Sequence, residues 1–428
     1  MQRVSPLRLL LAAFGDPGHA FPMLALGTEL AGRGHDVRLE TWMRWREHVE
    51  AAGMAFSPAP EYQVFPSGQR SLKPYQAAVR AAGQTRSVVA ALRPHAVVAD
   101  IITVAPKLAA EAEGVPIATL IPHVFPPEAP DTPPYSLGAR RPRTRAGRAI
   151  WRALRRPAAG GYERGRRELN EARARLGLQP LAHLHGGISR ELALVGTFPQ
   201  LEYPRAWSAD VRVVGPLLWE PPSEGEPPPR GDGPIVLVAP STVHDPAHRL
   251  LRAVLDGLGR EPVRIIAALN RRPLDGPLEV PANARLVDWL SYAKTMPHCD
   301  VVVCNGGHGT LARALACGCP VVVAPVAGDM NENAARADWA GVGVRLPWRF
   351  VAGAPMRAAV RRVLAEPEMA VRASAMRTWI DANNPVARAA DAVEQLARGE
   401  GASMAAEEGG SVGAGELRGW DSNPQPLG

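Results

Sequence analysis

The segment from Asp300 to Thr310 combines residue types that could hold a phosphorylated ligand. An apolar run ends at Cys304, and glycines then turn the chain into a helix predicted to begin at about Gly309. Glycine lets a backbone approach a ligand closely, and the first helical turn presents amides without intrahelical partners. With the helix dipole, such amides suit a diphosphate, although similar junctions also occur for packing reasons alone. The candidate phosphate-binding residues are Asn305, Gly306, Gly307, His308, Gly309 and Thr310.

Other predicted strands in the same half of the chain are also followed by polar or aromatic residues. Asp329 lies where a strand gives way to a helix, and Trp289 lies just past another strand. Ligands of open α/β sheets bind beyond the carboxyl ends of the strands, so Trp289 could stack on a nucleobase. It could equally be a half-buried core tryptophan. The further candidates for ligand binding at this edge are Ser241, Thr242, Met330 and Asn333.

A histidine and a carboxylate in the first half of the chain suit proton transfer. His19 follows the first predicted strand and Asp100 ends another, so both should lie at the same sheet edge. An imidazole with a pKa of about 6.5 can take a hydroxyl proton near neutral pH. A carboxylate on its other nitrogen fixes the tautomer and stabilises the cation that forms. Two alternatives remain, a turn histidine that caps backbone and an N-cap aspartate for a helix from about Thr103.

These residues need a scaffold of buried parallel strands, and the chain shows one. The first forty residues predict a strand, a helix opened by Pro22 and closed by Gly32 and Gly34, and a second strand. The alternation then continues to about residue 326. It indicates an α/β fold of two doubly wound, Rossmann-like domains. The predicted strands cover residues 7–14, 37–41, 96–99, 117–121, 191–195, 211–214, 235–238, 263–269, 284–287, 300–304 and 320–326.

The length of 428 residues fits two domains, and the prolines show where they meet. Six prolines between residues 216 and 229 predict an exposed, stiff linker. A last helix could pack back on the first domain, and the residues after it lack a helical face and predict a disordered tail. The predicted parts are an N-terminal Rossmann-like domain (1–215), a linker (216–233), a C-terminal Rossmann-like domain (234–384), a helix (385–399) and a tail (400–428).

The net charge of +7 is concentrated in one stretch. Residues 140–175 hold thirteen arginines and three glutamates, a net +10, which leaves about −3 for the rest. This stretch could be a solvated helix, or it could bind an anionic acceptor or a membrane surface. We expect no nucleic-acid partner, because few aromatic residues accompany the arginines.

The cysteines and the apolar runs argue for an enzyme of the cytoplasm. No apolar run approaches the about 18–20 residues of a membrane helix, and the one after Arg8 ends at Gly15. The four cysteines lie close together, unlike a secreted disulfide framework, and their spacing matches no zinc pattern. We therefore predict no metal site and small, buried cysteines: Cys299, Cys304, Cys317 and Cys319.

The order of these features resembles the family 1 nucleotide-sugar-dependent glycosyltransferases, which include bacterial natural-product enzymes. Their signature runs from a tryptophan through His-Gly-Gly-x-x-Thr/Ser to Gly-x-Pro, Asp-Gln and Asn-Ala. The N-terminal Gly18-His19-x-x-Pro22 is similar to another stretch of the family. The C-terminal matches are Trp289, Asn305-Gly306-Gly307-His308-Gly309-Thr310, Gly318-Cys319-Pro320, Asp329-Met330 and Asn333-Ala334.

The resemblance implies a GT-B fold, in which two Rossmann-like domains face each other across a cleft. The first domain would bind a small hydrophobic acceptor and the second a dTDP- or UDP-sugar, with no other cofactor. The implied reaction inverts the anomeric carbon without a metal, with His19 as general base and Asp100 as its partner.

Three positions depart from the family pattern. Asn305 replaces a histidine, Arg313 replaces a glutamate that often holds the ribose hydroxyls, and Met330 replaces a glutamine. Together they favour a deoxysugar donor such as a dTDP-sugar over UDP-glucose. Two alternatives stay open: a catalytically silent relative that binds a nucleotide or a partner, and another enzyme of this fold such as a sugar-nucleotide epimerase.

Overall fold

The apolar runs of the sequence form the strands of two parallel sheets. A computed structural model describes residues 5–59, 74–129, 132–241, 245–274 and 276–400. Strands buried on both faces read as continuous apolar runs, because helices cover both sides of a parallel sheet. The α/β fold with two doubly wound sheets is therefore confirmed.

The first sheet has seven strands in the order β3-β2-β1-β4-β5-β6-β7. Leu9 of β1 pairs with Val37 of β2 on one side and with Ala96 of β4 on the other. The strand order reverses between β1 and β4, and ligands bind in the crevice at such a point. The strands are β1 (Arg8–Ala12), β2 (Asp36–Thr41), β3 (Ala55–Pro58), β4 (Ala96–Asp100), β5 (Ile117–Ile121), β6 (Leu192–Val195) and β7 (Val211–Val213).

Helix α1 begins earlier than its proline pattern predicts. Pro17 takes the first helical position, where the missing N–H costs nothing, and Pro22 lies inside the helix. The expectation that Pro22 opens the helix is wrong, and His19 belongs to the first turn of α1. The helices of this half are α1 (Pro17–Gly32), α2 (Arg46–Ala51), α3 (Pro74–Leu92), α4 (Val104–Ala112) and α5 (Arg145–Arg175).

The second sheet has six strands in the order β10-β9-β8-β11-β12-β13, with its reversal between β8 and β11. The strands are β8 (Ile235–Ala239), β9 (Arg264–Ala268), β10 (Ala284–Val287), β11 (Val301–Cys304), β12 (Val321–Val323) and β13 (Gly343–Arg345). The helices are α6 (Arg249–Leu258), α7 (Tyr292–Thr295), α8 (His308–Ala316), α9 (Asp329–Ala340), α10 (Gly353–Ala365), α11 (Pro367–Asn383) and α12 (Pro385–Arg398).

The four cysteines are free thiols, two of them buried and two half-buried in the second half of the chain. None of the described helices is both long enough and apolar enough to cross a membrane.

The segment between β7 and β8 is only partly an exposed linker. Leu217 and Trp219 pack against the core of the first sheet, so the expectation that the whole segment lies outside a core is wrong. Five of the six prolines that predicted a linker lie after Trp219, between residues 221 and 229.

The last helix, α12, lies against the first half of the chain. Ala389 and Val393 are fully buried in the core around β1, and Arg33 of α1 donates to Glu394 at 3.0 Å. The tail predicted to be disordered lies outside the described residues beyond residue 400.

Candidate active site

His19 and Asp100 meet at the point where the first sheet reverses its strand order. His19 Nδ1 donates to Asp100 Oδ1 at 2.8 Å, with the histidine side chain 21% exposed and the carboxylate fully buried. Their strands are neighbours, since β1 pairs with β4, so the carboxyl end of β4 faces the first turn of α1. With Nδ1 engaged, the lone pair of His19 Nε2 is available on the other side of the ring.

The contact shifts the pKa values of the two groups in opposite directions. Burial alone lowers the pKa of His19, but the Asp100 carboxylate outweighs it and keeps that pKa above its usual 6.5. Asp16 and Asp329 act on His19 in the same direction. Burial alone would raise the pKa of Asp100, yet His19 holds it below its usual value. Asp100 is therefore a carboxylate at neutral pH.

Asp100 makes two further contacts, and neither is an N-cap of the following helix. Thr103 occupies the N-cap position of α4, and its hydroxyl donates to Asp100 Oδ2 at 3.1 Å. The backbone amide of Phe14 also approaches Oδ2, at 3.5 Å. The Asp100 carboxylate thus accepts from His19 and does not cap the amides of α4. The alternative of an N-cap aspartate is therefore wrong.

The amino terminus of α8, which follows β11 of the second sheet, presents backbone amides without helical partners. Leu311 donates the first helical hydrogen bond to the Gly307 carbonyl, which leaves the preceding amides without helical partners. Gly306 has φ +85°, and a Cβ there would lie 2.6 Å from Val323. Gly307 and Gly309 have open space on their Cβ side, so a ligand can approach. The helix begins within one residue of the predicted start.

The Asn305 side chain is buried and hydrogen-bonds to the backbone of two neighbouring loops. Its Oδ1 accepts from the Ser241 amide at 2.7 Å, and its Nδ2 donates to the Ala324 carbonyl at 3.2 Å. It therefore ties together the chain after β8, β11 and β12. The hydrogen bond to Asn305 places Ser241 next to the glycine turn before α8. Thr242 lies outside the described residues.

His308 faces away from the open side of α8, toward the first half of the chain. Its ring nitrogens lie 3.3 Å from the Gly196 carbonyl oxygen and 3.4 Å from Asn333 Oδ1. Burial lowers the pKa of His308 to about 4, so the ring is neutral. Asn333 also donates to the Gly306 carbonyl at 2.9 Å, which holds the glycine turn in place.

The remaining predicted residues divide between the cleft and the interior. Asp329 is half-buried at the start of α9, within electrostatic reach of His19. Met330 is only 7% exposed, so its side chain belongs to the interior. Trp289 is half-buried and lies 4.9 Å from the Arg271 guanidinium, which covers part of its ring.

Comparison with known proteins identifies this arrangement. The family model for the glycosyltransferase family 28 N-terminal domain matches residues 9–119, and the erythromycin biosynthesis protein CIII-like C-terminal domain matches residues 252–396. The 4'-demethylrebeccamycin synthase of Lentzea aerocolonigenes is 32% identical over 422 residues, 91% of this chain and 99% of the relative. The chain belongs to the family 1 glycosyltransferases of the natural-product type.

Solved glycosyltransferases share its GT-B fold. The kitacinnamycin enzyme superposes with a TM-score of 0.75 at 22% identity, covering 92% of this chain and all of the other. The spinosyn rhamnosyltransferase SpnG, solved with thymidine diphosphate, has a TM-score of 0.65 at 21% identity over 89% of this chain and 98% of the other. The chain is thus a sugar transferase that uses a nucleotide-sugar donor.

Two residues near the His19–Asp100 pair of this glycosyltransferase were missed by sequence reasoning. Lys107 of α4 is buried, donates to the Gly187 carbonyl, and interacts with the Asp100 charge. Its burial lowers its pKa to about 8. His123 follows β5 and interacts electrostatically with both His19 and Asp329. His123 could have been predicted from the sequence, because it lies just past the end of a strand, as His19 does.

A buried ion network fixes α9 of the glycosyltransferase against the first half of the chain. Arg336 Nε donates to Glu332 at 2.8 Å, and its Nη1 donates to Glu202 at 3.3 Å. Glu202 also accepts from the Phe125 amide at 2.6 Å, two residues after His123. The network therefore joins the helix that begins at Asp329 to the segment that carries His123.

Proposed function

We propose that this glycosyltransferase inverts the anomeric carbon as it moves a deoxysugar from a nucleoside diphosphate to a hydroxyl of a small hydrophobic acceptor. The observation that carries the proposal is the 2.8 Å contact of His19 with a buried carboxylate, within electrostatic reach of Asp329 at the start of α9. The proposed base thus lies on the first half of the chain, and the amides of α8 lie on the second half.

His19 is the proposed general base. Its Nε2 takes the acceptor hydroxyl proton as that oxygen attacks the anomeric carbon, and the bond from this carbon to the diphosphate oxygen breaks. Asp100 stabilises the imidazolium that forms, because its carboxylate accepts from Nδ1. A single displacement of this kind inverts the configuration at the carbon.

The leaving diphosphate is proposed to rest on α8. The amides before Leu311 and the helix dipole supply partial positive charge there, and the hydroxyl of Thr310 lies in the same turn. The residues proposed to bind through their amides are Gly307, His308, Gly309 and Thr310, whereas Asn305 and Asn333 hold the turn in shape.

The acceptor is proposed to lie beside the aromatic residues next to His19. The Phe14 ring lies 6.2 Å from the His19 ring and 4.8 Å from the Trp42 ring, all at the same sheet edge. Half-buried aromatic rings suit an apolar substrate.

The anomeric configuration of the product tests the proposal. From an α-linked nucleoside diphosphate sugar we expect a β-glycoside, because the acceptor oxygen attacks opposite the leaving group. The coupling constant of the anomeric proton in the NMR spectrum of the product distinguishes the two. A product that retains the α configuration would show that the single displacement is wrong.

The donor proposal rests on Arg313. Burial lowers the pKa of this guanidinium, with Glu220 as its attracting neighbour, and Glu220 in turn accepts from Ser291 and the Ala293 amide. A ribose with two hydroxyls gains a strong hydrogen-bond acceptor from a carboxylate at this position, whereas the Arg313 guanidinium can only donate. A deoxyribose lacks one of these hydroxyls and loses less, which supports a dTDP-sugar.

Replacing Arg313 by glutamine should therefore weaken the preference for dTDP- over UDP-sugars by about tenfold, since a hydrogen bond to the ribose is gained. Glutamine is chosen because a carboxylate would repel Glu220. Competition between the two donors gives the ratio of their kcat/KM values. Arg357→Gln, an exposed residue of α10, is the control. An unchanged ratio, or a wild type that prefers UDP-glucose, would contradict the proposal.

A further inference from the structure

The first half of α5 exposes an apolar stripe to solvent. Ile150 is 58% exposed and Leu154 is 44% exposed. Three exposed alanines lie at helical spacing around them, so the stripe is continuous along one side of the helix. The members of this stripe, here called the α5 face, are Ala146, Ala149, Ile150, Ala153 and Leu154.

Arginines border the α5 face. Arg145 lies four residues before Ala149, and Arg152 lies three residues after it, so both flank the stripe on one side. Arg143, Arg145 and Arg148 form no ion pair with an acid of the described residues. Long arginine side chains can keep their charge in a polar layer while their stems cover apolar surface.

The α5 face lies on the acceptor side of the molecule. Further along the helix, Arg155 donates to the Ala129 carbonyl at 2.6 Å, and Tyr162 donates to Glu128 at 3.2 Å. The segment that they contact follows β5 and begins with His123 of the cleft. A surface that binds the α5 face would therefore lie close to the proposed acceptor side of the cleft.

We propose that the α5 face docks the enzyme on an anionic lipid surface. The alanines, Ile150 and Leu154 enter the layer between headgroups and acyl chains, and the bordering arginines meet lipid phosphates. The charge supports this occupant, because residues 140–175 carry a net +10 on a chain that is otherwise about −3. Docking brings the cleft to the phase in which a small hydrophobic acceptor concentrates. The proposal depends on α5 and not on the sugar transferred.

Cosedimentation with vesicles tests the docking surface. We expect the full chain to bind vesicles of phosphatidylcholine with phosphatidylglycerol at 0.1 M salt, and not vesicles of phosphatidylcholine alone. The double variant Arg145→Glu/Arg148→Glu should bind about 10- to 100-fold more weakly, because surface arginines each attract an anionic bilayer. Ile150→Ser/Leu154→Ser should lose binding as well, since the apolar contribution is removed.

A matched control separates the α5 face from net charge. Arg260→Glu/Arg357→Glu changes the charge equally on exposed positions of the other half and should bind as the wild type does. Transfer to a water-soluble acceptor should be unchanged in all variants, because these residues lie outside the cleft. The proposal is overturned if no variant or wild-type chain binds anionic vesicles, or if the control loses binding equally. The proposal is also overturned if the full chain binds a purified acidic protein through α5 and does not bind anionic vesicles.

Discussion

Replacing His19 by alanine is expected to lower kcat/KM for sugar transfer by about 10²–10⁴-fold, the range that a general base contributes. The acceptor hydroxyl then has no group in place to take its proton, since Asp100 is buried behind the imidazole. Binding of the nucleoside diphosphate should be retained, because its proposed site on α8 belongs to the other sheet. Initial-rate kinetics together with a thermal shift on adding dTDP measure the two effects separately.

The control is His298→Ala, an exposed histidine of the second half, which should leave kcat/KM unchanged. Added imidazole should restore part of the activity of His19→Ala, because the cavity that it leaves is open to the cleft. A His19→Ala enzyme with wild-type kcat/KM would show that His19 is not the base. A variant that loses dTDP binding as well would assign His19 a structural role instead.

The contact between His19 and Asp100 could be predicted from the sequence because parallel sheets follow a general rule. His19 and Asp100 each follow or end an apolar run, and parallel strands present their carboxyl ends at one sheet edge. The prediction did not require knowing where α1 begins, so the wrong start at Pro22 left it intact. The strands β3 (Ala55–Pro58) and β13 (Gly343–Arg345) were missed because neither contains an apolar run, unlike the equally short β12 (Val321–Val323).

The direction of side chains could not be predicted in the same way. Asn305 looked like a phosphate ligand, yet it bonds to Ser241 and Ala324. His308 looked like a partner of the diphosphate, yet it contacts the Gly196 carbonyl. The contacts of Asn305 depend on how the loops after β8 and β12 meet β11, and the contact of His308 depends on how the two halves of the chain meet. No local pattern records either arrangement. The amides of α8 are different, because the helix start alone fixes their direction.

Replacing Asp100 by asparagine should lower kcat and move the acid limb of the pH profile to lower pH. The acid limb of kcat/KM reports the pKa of the base in the free enzyme, which must be neutral to work. In the wild type that pKa lies above 6.5, because the Asp100 carboxylate outweighs the effect of burial. Without the carboxylate, burial is opposed only by the weaker effects of Asp16 and Asp329, so the pKa of His19 falls. Loss of the carboxylate from such a pair can cost about 10⁴-fold in kcat.

Thr103→Val is the matched control for Asp100→Asn, because it removes a hydrogen bond to Oδ2 without removing the charge. The acid limb should then stay near its wild-type position.

The contact between His19 and Asp100 also makes the free energy of unfolding depend on pH. Since the pKa of His19 is raised on folding, its contribution is complete below about 6.5 and is lost as pH rises through the folded value. Unfolding by urea at pH 6 and pH 9 should show this loss in the wild type and not in Asp100→Asn. An acid limb that stays in place in Asp100→Asn would mean that another charge sets the pKa of the base.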